Sequence, residues 1–127
     1  MRDPEFETSE DGKDALVEDY GIGRGVVYEL FQEVDEAAVA LVEEYNFEDE
    51  VDLEVVQEYL KIAFCEDIAW MSDAGVWDGE KDIRRIVDEM DEYAGANTRM
   101  MVGRVASRSR DMMRLSGEIM KDAYSRE

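Results

Sequence analysis

The sequence predicts an all-α protein: an antiparallel bundle of four main helices, preceded by a short N-terminal helix and closed by a long C-terminal one. Three observations lead there. Apolar residues recur at three- and four-residue spacing along most of the chain. No stretch of useful strand length alternates apolar and polar residues. The single proline, Pro4, stands at the very start, so glycine clusters supply the punctuation. A chain of 127 residues suits one domain around one core.

Residues 1–6 read as translated cloning-vector sequence, through Arg2-Asp3-Pro4-Glu5-Phe6, and are set aside from the fold. Residues 7–13 are polar and acidic without apolar periodicity, which predicts a disordered lead-in and a single helical domain over 14–127. A short helix is expected over 14–20, ended by the run containing Gly21, Gly23 and Gly25. Those glycines lack the Lys-Ser/Thr of a phosphate loop and a preceding strand, so they read as a helix connector. Over 26–45 the apolar positions Val27, Leu30, Phe31, Val34, Ala37, Ala38, Leu41 and Tyr45 share one helical face, with Glu29, Glu36 and Glu43 opposite. Asp52 is placed to cap a helix running to about Met71, which is apolar around most of its circumference and so predicted to be central. After a loop over 72–79 carrying Val76 and Trp77, a fourth helix over 80–94 turns Ile83, Ile86, Val87, Met90 and Tyr93 inward. Outward i,i+4 pairs are expected for Arg84 with Asp88 and Arg85 with Glu89. Gly95-Ala96-Asn97 marks a break, and one long helix, capped by Asn97 or Thr98, is predicted to continue to about Tyr124.

Thirty-four acidic residues against fourteen basic ones give a net charge of −20. A field of that sign repels phosphate backbones and disfavours a generic nucleic-acid binder. The charge is uneven: residues 1–97 carry −23 and residues 98–127 carry +3. The acid excess, the preference for Arg over Lys and the abundance of Val and Ala resemble the salt-adapted cytoplasmic proteins of halophilic archaea. In that setting acidity serves solvation, and molar salt screens charges beyond about 3 Å. Cys65, alone, has no internal disulfide partner and reads as a small buried hydrophobe of a reducing compartment, the cytoplasm. The absence of histidine removes imidazole bases and the commonest metal ligand. The longest apolar run, Ala37 to Val42, is too short to span a membrane.

Glu66 and Asp67 fall among apolar neighbours of the central helix, where carboxylates are costly unless paired or metal-bound. One partner is an arginine, Arg84, Arg108 or another, inside the bundle or across a dimer interface. The other is Mg²⁺, which takes oxygen ligands and needs no histidine, held by Glu66 and Asp67 with Glu33 and Glu36 of the second helix. Glu33 and Glu36 form a Glu-x-x-Glu pair. This resembles the all-α nucleoside-triphosphate pyrophosphatases of the MazG and dimeric dUTPase type, whose helices carry Glu-x-x-Glu followed by Glu-x-x-Asp. The resemblance implies a Mg²⁺-dependent pyrophosphatase over some 45 residues, but the second motif is missing, Ala69 standing where its Asp belongs.

The C-terminal segment carries the other signal. Met101, Val105, Met112, Leu115, Ile119 and Ala123 form an apolar stripe interrupted by Arg108 and widened by Val102, Ala106, Met113 and Met120. On one continuous helix Arg99, Arg110, Arg114 and Lys121 share the far face. A wide methionine-rich arc beside a basic stripe suits docking to an acidic protein surface, including a second copy. The expectation is therefore a non-enzymatic, cofactor-free interaction or regulatory domain self-associating through Arg99, Met101, Arg108, Arg110, Met112, Arg114, Leu115, Ile119 and Lys121. The Mg²⁺ pyrophosphatase is the first alternative, and a DNA-binding regulator using the same basic helix is the second.

Overall fold

The computed structural model describes residues 5–45, 51–75, 79–92 and 96–125, except the side chains of 79, 80, 82, 89–92 and 96. The chain is all-α, and no strand occurs among the described residues. In order the helices are α1 (Ser9–Glu18), α2 (Arg24–Glu44), α3 (Leu53–Asp73), α4 (Gly79–Glu92), α5 (Ala96–Val105) and α6 (Arg110–Ser125). A single 3₁₀ turn, Ala106–Arg108, separates α5 from α6.

Helix α3 is central because its apolar residues reach most of the way round it. Val56, Leu60, Ile62, Ala63, Phe64, Cys65, Ile68 and Ala69 are all buried, and α1, α2, α5 and α6 pack against it. Asp52 opens the helix as expected, its carboxylate accepting from the Glu54 and Val55 N–H groups at 3.0 and 3.4 Å. Trp70 departs from the sequence expectation by being half exposed. Helix α2 buries Val27, Leu30, Val34, Ala38 and Leu41, the predicted face. Ile83 of α4 enters the core, with Ile86 and Val87 half-buried against it. Tyr93, Val76 and Trp77 lie outside the described residues, as do the side chains of Met90 and of Glu89, the expected partner of Arg85. Arg84 turns to Glu29 of α2, 3.7 Å away, rather than to Asp88.

The predicted lead-in is a correction, for α1 begins at Ser9. Thr8 caps it by accepting from the Asp11 N–H at 3.1 Å. Glu58 of α3 accepts from both the Ser9 N–H (2.9 Å) and the Ser9 hydroxyl (2.6 Å). Small residues make this contact: a Cβ on Gly12 would sit 2.8 Å from the Cys65 Cβ and 2.9 Å from its Sγ. Hydrophobic periodicity is blind to a stripe of Ser9, Gly12 and Leu16, although its spacing is helical. The helix ends where Gly21 takes φ +67°, a conformation suited to glycine, and the Ile22 N–H returns to the Leu16 carbonyl at 3.0 Å. The Tyr20 hydroxyl donates to Asp73 at the far end of α3, fastening the turn. Desolvation, then the Asp73 carboxylate, raises the Tyr20 pKa.

The long last helix is the second correction. The chain leaves the α-helical path at Ala106–Arg108, and Ser109 adopts an extended backbone from which its hydroxyl accepts the Met112 N–H at 3.1 Å. Serines 107 and 109 supply the local signal, because short hydroxyl side chains compete with helical hydrogen bonds and favour caps.

Candidate interaction surface

Arginines meet both Glu66 and Asp67 of α3. Glu66 is buried; its Oε1 accepts from Arg108 Nη2 at 2.7 Å and its Oε2 from the Phe6 N–H at 3.2 Å. Asp67, half-buried, is held by Arg104. Arg108 closes the 3₁₀ turn before α6, and from there its guanidinium reaches Glu66 of α3. Phe6, assigned to the vector segment, packs against the core here. A cleft of about 510 Å³ opens above the pair, lined by Glu5, Phe6, Glu7, Tyr59 and Ile62.

The four carboxylates considered for Mg²⁺ do not converge. Glu33 and Glu36 lie on α2, Glu36 facing solvent, while Glu66 and Asp67 are engaged by arginines. Among the described residues no three metal-ligating side chains gather at one point. Cys65, buried under Gly12, has its thiol pushed up to about 12, first by burial and then by Glu66 and Glu58. A thiol that stays protonated is a poor nucleophile.

The nine residues expected at an interface separate into three groups. Met101, Met112 and Leu115 are buried and Ile119 half-buried, all in the core of the chain itself, so they are unavailable to a partner. Arg99 and Arg108 are taken: Arg99 Nη2 pairs with Glu44 at 2.6 Å, which raises the arginine pKa, and Arg108 holds Glu66. The helix break moves Arg99 away from the other cations. Only Arg110, Arg114 and Lys121 remain on the solvent face of α6, and none makes an ion pair with a described residue.

Beside those cations lies an apolar strip, two of whose members, Met113 and Met120, were expected to widen the core stripe. Met113, Met120 and Tyr124 are 53%, 54% and 70% exposed. At about 100° per residue they adjoin one another, with Gly117 between them and the Arg110–Lys121–Arg114 strip. Helix α6 is thus amphipathic twice: Met112 and Leu115 face the core, and the opposite side carries methionines and tyrosine next to three cations. The signal was present in the spacing of 113, 120 and 124, but choosing which methionines face inward required the break at 106–109.

No helix among the described residues is long and apolar enough to cross a membrane. Comparison of the chain with protein-family profiles, with curated proteins and with solved structures produced no match.

Proposed function

We propose that this chain is a non-enzymatic helical interaction domain that self-associates through α6, with its helices in an antiparallel bundle. Its setting is the cytoplasm of a salt-adapted organism, where the acidic surface serves solvation. One observation carries the reading. In a chain of charge −20, Arg110, Arg114 and Lys121 make no ion pair with a described residue and lie beside exposed Met113, Met120 and Tyr124. Unpaired cations amid an excess of acids are what a surface needs to attract an acidic partner. Exposed methionines supply apolar area, worth roughly 1.5–3 kcal/mol for each side chain fully buried, and adapt to the surface they meet.

Light scattering on the chain in low and in molar salt tests the reading. A mass above the monomer, returned to the monomer by Met113→Asp with Met120→Asp, is expected. A monomeric mass at every concentration and salt overturns it. Melting temperatures that climb into molar salt are expected from the salt-adapted surface, and a flat or falling series removes that part.

A further inference from the structure

The geometry points to the receiving surface: α6 of one copy lies antiparallel on the exposed face of α2 of a second copy. This rests on the self-association proposed above and names its counterpart. The solvent side of α2 mirrors that of α6 with the charge reversed. Going round α2 at about 100° per residue, exposed Tyr28 and half-buried Val39 come first, then Gln32, then exposed Glu43, Glu36 and Glu29. Going round α6 in the same sense, Met120, Met113 and Tyr124 come first, then Arg110, Lys121 and Arg114. Each helix therefore carries an apolar strip with a charged strip on the same hand.

Pitch agrees as well. Glu29, Glu36 and Glu43 recur every seventh residue, as do Met113 with Met120 and Arg114 with Lys121, a repeat of about 10 Å along a helix. Among the described residues Glu36 and Glu43 make no ion pair, and Glu29 makes one, with exposed Arg84 at 3.7 Å. By contrast Glu44, off this strip, is taken by Arg99.

Handedness selects the orientation. Two antiparallel helices present the same flank to each other, so an apolar seam between α6 and α2 brings the cations against the carboxylates. The same packing of α6 on its own copy sets Arg110, Arg114 and Lys121 against themselves, and like charges at that distance repel. A parallel pair of α6 helices leaves the cations opposite Ser116 and Ala123, with nothing to neutralise them.

Charge reversal with complementation tests the pairing, read by sedimentation of the full chain at low salt, with far-UV circular dichroism confirming that each variant keeps its helix. Arg114→Glu with Lys121→Glu is expected to weaken association about tenfold or more, and Glu36→Lys with Glu43→Lys to do the same. An equimolar mixture of the two variants recovers association, because each reversed helix then meets a reversed partner. If the α6 variant dissociates while the α2 variant does not, or if the mixture fails to recover, α2 is not the receiving surface and self-association through α6 stands. A wild-type chain that is monomeric throughout, or an α6 variant that associates unchanged, overturns both.

Discussion

Where α1 meets α3, polar groups find their partners inside the molecule; on the outer side of α6 three cations make no ion pair with a described residue. Ser9 gives both its donors to Glu58, Tyr20 bonds Asp73, and Gly12 lies against Cys65 closely enough to leave no room for a methyl group. In the adjoining α2–α3 contact, Lys61 pairs with Asp35 at 3.2 Å while its ammonium stands 5.6 Å from the Phe31 ring centre. Helix α6 is anchored by Met112 and Leu115 and turns three cations and three large apolar side chains to water. One interface is complete as folded, and the other has the composition of a surface waiting for its complement. Stability and association are therefore expected to reside in different residues.

Substitutions should separate the two regions in order of size. Phe64→Ala empties a fully central position and is expected to lower unfolding free energy by about 3–5 kcal/mol, measured by urea denaturation; a loss below 1 would deny α3 its central role. Arg108→Ala leaves the buried Glu66 carboxylate without its cation. Because the guanidinium is itself partly open to solvent, the expected loss is about 2 kcal/mol, and no loss would show that water replaces the arginine freely.

Cys65 sets a pH dependence at the packed interface. Its folded pKa of about 12 lies above its ordinary 9.0, so the protonated thiol's contribution is fully present below pH 9 and is lost as pH rises toward 12. By pH 10 the loss relative to Cys65→Ala is expected to reach about 1.4 kcal/mol. Parallel stability curves for the two proteins between pH 8 and 10 would contradict that burial. At the other extreme, Met120→Ala is expected to change monomer stability by less than about 0.5 kcal/mol while weakening self-association. A large stability loss there would place Met120 in the core and blur the contrast.

Much of this was legible along the chain. The spacing from Val27 to Leu41 gave the face of α2, Asp52 the start of α3, and the apolar surroundings of Glu66 and Asp67 the demand for a counter-charge. Arg108 was among the partners named for them, but its assignment to Glu66, and that of Arg104 to Asp67, was not legible, since ten arginines were on offer and tertiary packing decides which of them reach α3. The start of α1 carries no hydrophobic signal, because the contact there is made by the close approach of Ser9 and Gly12.

By itself, the sequence determined the all-α class, the central position of α3 and the charge contrast between residues 1–97 and 98–127, because periodicity and charge are properties of local order. Only the tertiary structure decided which side chains of the last segment remain for a partner. The turn at Ala106–Arg108 resets the helical phase between Arg99 and Arg110. Core packing then draws in Met101, Met112 and Leu115 and leaves Met113, Met120 and Tyr124 outside. The Ser109 cap is local, but the ion pair between Arg108 and Glu66 is made across the fold, and spacing along the chain does not contain it.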